Sequence, residues 1–355
     1  MCPDILTEIK RIEEELRRTP YNKATEKHIG KLKAKLAKLK EKVEKSKSTR
    51  KSQFYFKKDG DATVVMVGYP SVGKSSLLNA LTGAKSCVAD YDFTTLEPVP
   101  GILKYQGAKI QIVDTPGLIE GASSGRGKGK EVLSLARIAD LILIVTDVYN
   151  VDKIDIIKKE LEKSGIRLDK SPPAITIKRK DKGGIRIFST HPLSISQQTI
   201  YEILKEFRIH NADVTIREPL TSIDRFIDGI LRNRVYIPSL TVINKIDLAV
   251  PWVNTSDVLF VSAKNKINLD ILAKKIYKKL NLIKIYLKPP NEKPSKDPLI
   301  LRRGATVEDV CRKIHKDLIH NFKYAKVWGK SVKFNGQRVG LDHKLEDGDI
   351  ITVYA

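Results

Sequence analysis

One short stretch constrains the fold more than any other: Gly68-Tyr69-Pro70-Ser71-Val72-Gly73-Lys74-Ser75, directly after the apolar run Thr63-Val64-Val65-Met66-Val67. An apolar run without alternation is the mark of a strand buried on both faces of a parallel sheet. Leu77, Leu78, Ala80 and Leu81 then carry a helical pattern. A strand, a glycine loop and a helix N-terminus turn several backbone N–H groups toward one point, which suits a polyphosphate. The spacing is that of a G-x-x-x-x-G-K-S phosphate loop, with Lys74 expected on the β- and γ-phosphates and Ser75, followed by Ser76, at Mg²⁺.

Three further motifs follow in order. Ile110-Gln111-Ile112-Val113 predicts a second buried strand ending at Asp114-Thr115-Pro116-Gly117. Ligands of open α/β sheets bind beyond the carboxyl ends of strands, so Asp114 can hold a water on Mg²⁺ and the Gly117 N–H can sense a γ-phosphate. Leu240-Thr241-Val242-Ile243 leads in the same way into Asn244-Lys245-Ile246-Asp247. Asp247 can accept hydrogen bonds from the N1–H and exocyclic amine of guanine, whereas adenine leaves that carboxylate unpaired at a cost. Asn244 and Lys245 are expected to brace the loop and cover the base. Val258-Leu259-Phe260-Val261 then delivers Ser262-Ala263-Lys264, where the Ala263 N–H can meet the guanine O6. These spacings imply GTP and GDP rather than adenine nucleotides, hydrolysed by electrostatic positioning with Lys74, Thr95 and Gly117 in the catalytic set.

Between Gly83 and Gly101, Asp92-Phe93-Thr94-Thr95-Leu96 offers two adjacent hydroxyls. Thr95 is the expected third metal ligand beside Ser75 and Asp114, with Thr94 the alternative. Leu118 follows Gly117, where many GTPases carry a glutamine that orients the attacking water. A leucine has no hydrogen bond to offer, so slow intrinsic turnover is expected, with the water positioned by another group, a monovalent cation or a partner. Four glycines in residues 121–129 suit an order–disorder switch.

The Gly68–Ser75 loop, Phe93-Thr94-Thr95-Leu96 and Asp114-Thr115-Pro116-Gly117-Leu118-Ile119-Glu120-Gly121-Ala122 together resemble the Obg-related GTPases, and within them the developmentally regulated GTP-binding (DRG) proteins. The resemblance spans nearly the whole chain. It implies a cytoplasmic GTPase linked to ribosomes and translation, with slow turnover. Some relatives carry Asn at the position of Ser71, where it helps bind a stimulating potassium ion, so K⁺ dependence stays open here.

The fold expected is α/β: a P-loop GTPase domain with a mostly parallel sheet and three attachments. Residues 1–58 form a basic helical region with 18 Lys and Arg against 8 Asp and Glu. A helix over Pro3–Arg18, a break at Thr19-Pro20 and a stripe of Ile29, Leu32, Leu36, Leu39 and Val43 predict a helical hairpin docked on a partner or on the GTPase domain. The GTPase domain takes residues 59–150 and 236–288. Asp114 and Asn244 lie 130 residues apart where two βα units need roughly 60. An inserted α+β domain over 151–235 accounts for the excess. In it, Ile175–Lys178 and Gly184–Ile187 read as a β-hairpin about Asp181-Lys182-Gly183, followed by a helix near Ser196–Phe207. The resemblance implies an insert here similar to a fold of a ribosomal protein. After Pro289-Pro290, residues 289–355 resemble a TGS domain, a ubiquitin-like β-grasp module. A capping box at Thr306–Asp309 opens its helix, and strands fall near Ala325–Trp328, Val332–Phe334 and Ile350–Tyr354.

The formal net charge of the 355 residues is +23. That skew points to an anionic partner, RNA or the ribosome, with Lys178, Arg179, Lys180, Lys182 and Arg186 of the insert as candidate contacts. A protein regulator is the other partner considered, and a nucleotide-dependent protein-docking module with little turnover is the alternative function. Nothing in the chain reads as a membrane span or a secretory leader. Cys2, Cys87 and Cys311 have no metal-ligand spacing and read as free thiols rather than disulfides. His315 and His320 read as surface residues.

Overall fold

The computed structural model describes residues 3–48, 60–83, 99–117, 129–249, 258–290, 292–315 and 317–355. Phe93, Thr94, Thr95, Leu118, Cys2 and Cys87, and most of the glycine-rich stretch after Gly117, lie outside them. In chain order, helices α1 (Pro3–Arg18) and α2 (Glu26–Ser48) come first. Then follow β1 (Ala62–Val67), α3 (Lys74–Thr82), β2 (Val99–Tyr105), β3 (Ala108–Asp114), α4 (Gly129–Ile138), β4 (Leu141–Asp147), α5 (Lys153–Lys163) and β5 (Ile166–Leu168). The middle of the chain forms β6 (Ile175–Arg179), β7 (Ile185–Ser189), α6 (Gln197–Glu206), β8 (Ala212–Ile216), α7 (Ile223–Ile230) and β9 (Val235–Ile237). Next are β10 (Ser239–Asn244), β11 (Val258–Phe260), α8 (Leu269–Lys279), β12 (Leu282–Leu287) and β13 (Leu299–Arg302). The chain ends with α9 (Val307–Ile314), α10 (Asp317–His320), β14 (Tyr324–Trp328), β15 (Gln337–Val339) and β16 (Ile350–Tyr354).

Two compact units result. One joins residues 56–169 to 237–355, and the other joins 1–55 to 170–236. The first contains a six-stranded sheet in the order β11-β10-β4-β1-β3-β2. It is parallel except for β2, which runs antiparallel to β3 at the edge. β1, β4 and β10 are buried along their whole length, as continuous apolar strands require when both sheet faces are covered. Val64, Met66, Ile112, Leu143 and Val242 share one core with Leu77 and Leu78 of α3 and with Leu272 and Ile276 of α8.

The same unit carries the mixed sheet β13-β12-β16-β14-β15 with α9 on one face. Thr306 caps α9 as its sequence predicts, its N–H bonding Asp309 Oδ2 at 2.9 Å. Two expectations shift here. β12 pairs with β13 and β16, so the C-terminal module takes in a strand that lies before residue 289. Residues 332–334 are not a strand; the chain bends there, and β15 pairs with β14 only after the positive-φ turn at Gly336. Ile300 of β13 is buried in the GTPase core, and Lys313 of α9 holds Asp61 at 2.7 Å, so the module is built into the unit.

In the second unit, the sheet order is β6-β8-β7. β6 and β7 therefore do not form the expected hairpin. β8 enters between them, antiparallel to β6 and parallel to β7, because its Val214 and Ile216 supply the buried centre of the core. The unit begins at Lys170 rather than 151, since α5 carries Ile157 and Leu161 into burial alongside β4 and β5. The N-terminal hairpin packs on this insert, a surface not foreseen for it. Ile29 and Ala34 join the insert core. Gly30 allows α2 to approach α6 so closely that a Cβ there would lie 2.7 Å from Thr199 Cγ2. The Ser196 N–H donates to Glu26 Oε1 at 2.8 Å, and Lys38 Nζ donates to the Glu206 carbonyl at 2.5 Å.

Among the described residues, no helix is long and apolar enough to cross a membrane. Cys311 is a buried thiol of the C-terminal core, and His315 and His320 are exposed.

Candidate nucleotide-binding site

The carboxyl ends of β1, β3, β4 and β10, with the turn after β11, converge at one edge of the parallel sheet. Gly68 must be glycine, because a Cβ there would sit 2.1 Å from the Val145 carbonyl oxygen. Ser71 and Gly73 take positive φ, 59° and 86°, which curls the loop before α3. Lys74 is buried at 7% exposure and donates to the Tyr69 carbonyl at 2.9 Å. Burial lowers its pKa, partly offset by the Asp114 carboxylate.

Asp114 ends β3, 3% exposed, with Oδ2 accepting the Ser75 hydroxyl at 2.5 Å. Its Oδ1 is buried and has no hydrogen-bond partner among the described residues. Burial raises the pKa of this carboxyl, while Ser75 and Lys74 pull it back. A buried carboxylate oxygen left unpaired beside a hydroxyl is an unfinished arrangement. A hard oxygen-seeking cation with few protein ligands completes it, and this donor set fits Mg²⁺. Thr115 anchors the following turn by donating to the Met66 carbonyl at 2.7 Å. Gly117 lies against Pro70, where a Cβ would come within 2.6 Å of the Pro70 nitrogen, so the second and first motifs touch.

Asn244 ties three loops together. Its Nδ2 donates to the Val72 and Gly73 carbonyls at 3.2 and 3.4 Å, and its Oδ1 accepts the Ala263 N–H at 3.0 Å. Gly73 leaves room for this, since a Cβ would lie 2.5 Å from that Nδ2. Lys245, at φ 64°, donates to the Ser71 carbonyl at 2.6 Å. Asp247 Oδ1 accepts the Ser262 hydroxyl at 2.6 Å, a bond that holds its pKa below the usual carboxylate range. Ser262 also accepts the Asn265 N–H, closing the turn that carries Ala263 and Lys264.

The motif residues within the described chain thus gather at one edge. A further residue belongs with them. Asp147, at the end of β4 and 4% exposed, holds Lys245 Nζ at 3.1 Å and accepts Asn150 Nδ2 at 2.6 Å. Lys153 continues the chain, donating to Asn150 Oδ1 and lying over the Tyr69 ring. The signal for Asp147 was present: an acid closing a buried parallel strand, in the same position on β4 as Asp114 on β3. Chemically, the edge offers a helix N-terminus and a buried lysine for phosphates, an unpaired carboxylate oxygen for a cation, and an exposed carboxylate for a base edge.

Comparison with known proteins agrees with this geometry. Three consecutive family profiles match: a 50S ribosome-binding GTPase over residues 63–180, the C-terminal region of that GTPase domain over 182–282, and a TGS domain over 283–355. An uncharacterized GTP-binding protein of Methanocaldococcus jannaschii is 59% identical, over 98% of this chain and 92% of its own. Developmentally-regulated GTP-binding protein 1 of Xenopus laevis is 47% identical over 98% of each chain. Among solved structures, Aquifex aeolicus Era bound to GDP·AlF4⁻ superposes with a TM-score of 0.36 at 20% identity, covering 76% of this chain and 72% of that one. A likeness so distant carries no weight beside the relatives.

Proposed function

The chain belongs to the developmentally regulated GTP-binding proteins and is a GTPase, and from that premise we propose that it is a Mg²⁺-dependent switch whose nucleotide state sets its contact with RNA of the translation apparatus. The observation that carries the switch reading is the Asn244 bridge. One side chain couples the base-reading turns to the phosphate loop, so filling either half organises the other. Such coupling makes nucleotide binding a single event with a structural readout.

In this reading Lys74 and the N–H groups at the start of α3 meet the β- and γ-phosphates, and the Gly117 N–H meets the γ-phosphate. Ser75, Thr95 and Asp114 would hold Mg²⁺, which would supply positive charge against the charge developing on the phosphates. Asp247 reads guanine and Lys245 covers it. Leu118 brings no hydrogen bond to the attacking water, so a partner or K⁺ completes the catalytic set. The ribosome as that partner is supported by the net charge of +23 and by the matched 50S ribosome-binding profile, and it implies a cytoplasmic protein.

The test is GTP turnover with and without purified ribosomes, in sodium and in potassium, against Lys74→Ala. Stimulation of tenfold or more by ribosomes, absent in the variant, is the expected result. Turnover and sedimentation both indifferent to ribosomes would leave the nucleotide-dependent protein-docking reading instead.

A further inference from the structure

The C-terminal β-grasp sheet buries one face in its own core. Of the other face, the β12–β13 part is covered by the GTPase core, where Leu282 and Ile300 are buried, and the β14–β16 part stays half-exposed around a buried Thr352. Alternation along β14 sends Ala325 and Val327 into the core and leaves Tyr324, Lys326 and Trp328 on the opposite side. The register then sets Tyr354 beside Tyr324, Thr352 and Arg338 beside Lys326, and Ile350 beside Trp328. The Tyr324 and Tyr354 rings stack with centroids 4.6 Å apart. Three cations along β14–β16 and the end of β12 lie on rings: Arg338 is 4.6 Å from the centre of Tyr324, Lys288 is 4.7 Å from Trp328, and Lys326 is 5.6 Å from Tyr354.

Two features separate this face from an ordinary solvated one. None of the five strands contains Asp or Glu. Among the described residues, no ion pair uses Lys288, Lys326 or Arg338, although the chain pairs its cations freely elsewhere. Cross-strand aromatic pairs do stabilise sheets, but that role calls for no such one-signed charge. Phe334, 65% exposed, adds another ring in the loop beyond Trp328.

We propose that the half-exposed part of this face, along β14, β15 and β16, is a stacking platform for single-stranded RNA. The inference rests on the RNA reading above and names the surface and the form of RNA. Nucleobases stack on aromatic rings and on guanidinium planes, and cations track the phosphates between them. Tyr324 and Trp328 stand four residues apart on β14, roughly 13 Å, a span that suits two or three bases on a sheet. A duplex hides its base faces and gains only the charge. Lys288, Lys326 and Arg338 cover the rings in the free protein, and turn to phosphates as bases take their place.

The experiment is fluorescence anisotropy of the full chain with a labelled twelve-nucleotide oligo-U RNA and with an RNA duplex of equal length, with ribosome co-sedimentation in parallel. Trp328→Ala and Tyr354→Ala should each weaken oligo-U binding by about 5- to 100-fold, and Tyr354→Phe should retain it within about twofold. Arg338→Gln should lower the salt slope by about one. GTP turnover should stay as in the wild type, since none of these residues touches the nucleotide site, and thermal unfolding of every variant checks that each is still folded at the assay temperature. Oligo-U bound equally by wild type and ring variants would overturn the platform, while retained ribosome binding would leave the RNA reading standing. Ring variants that lose ribosomes in a salt-independent way without affecting oligo-U would overturn it in favour of a protein-docking face. Wild type that binds neither RNA nor ribosomes would sink both.

Discussion

The parallel GTPase sheet and the insert sheet use their strands in opposite ways. β1, β4 and β10 are buried from end to end, so their faces have no contact with solvent and all their chemistry sits where they stop. Gly68, Asp114, Asp147 and Asn244 are each at or just past a strand's last residue. β6 and β7 alternate half-buried and exposed, and their outer residues Lys178, Arg186 and Phe188 lie on a face. Strand ends converge on a point and suit a small ligand; an open face suits an extended one. Close packing tolerates little at the first and much at the second, and substitutions should reveal that difference.

The largest effect belongs to the strand end with no room. Gly68→Ala would drive a methyl into the Val145 carbonyl, a backbone group that cannot swing aside as a flexible side chain could. The loop must move, so nucleotide binding should be lost with a stability cost of roughly 2–4 kcal/mol. Isothermal titration with GDP and denaturant unfolding check both. Near-normal GDP affinity would show that the loop is not held as the sheet suggests.

Asp247→Asn is next. An amide offers one acceptor and one donor, mismatched to the two donors of guanine but matched to xanthine. GTP affinity should fall by about 100-fold or more, with XTP gaining. Competition binding with GTP, XTP and ATP reads the outcome, and unchanged guanine preference would remove Asp247 from the base-reading role. Asn244→Ala should follow at about 2–3 kcal/mol in stability, because the Ala263 N–H and the phosphate-loop carbonyls lose their partner together. A proportionate loss of GDP affinity would mark the bridge as a coupling element; an unchanged affinity would make it scaffold only.

How much of this was legible follows from the same contrast. Strand ends announce themselves, because a buried apolar run followed by Gly68–Ser75 or by Asn244–Asp247 has few other readings. Asp147 escaped because its partner, Lys245, is 98 residues away, and only the adjacency of β4 and β10 brings them together. Sheet faces were harder. The alternation of β6 and β7 was plain, but their pairing was not, since β8 arrives after α6 and its apolar side chains outcompete a local hairpin. The docking of α2 likewise turned on Gly30, whose value is visible only against Thr199. The ring-and-cation face of the C-terminal sheet depends on a register between β14, β15 and β16 that no motif encodes.

The smallest expected effect is also the one that runs upward. Lys178, Asp213 and Arg186 stand side by side across β6, β8 and β7. Asp213 pairs with Lys180, and Arg186 Nε lies 3.4 Å from its Oδ1. The Lys180 bond, with Arg186 and Lys178 nearby, holds the Asp213 carboxyl below the usual range, so it stays charged at neutral pH and mutes the three cations around it. Asp213→Asn should therefore free the insert face for phosphate, tightening RNA binding by about 2- to 5-fold at low salt and steepening the salt slope by about one. Anisotropy with duplex RNA across a salt series measures it. If affinity and slope stay put while ring variants of the C-terminal sheet abolish oligo-U binding, the insert's charges serve solubility, and RNA is held by the C-terminal face alone.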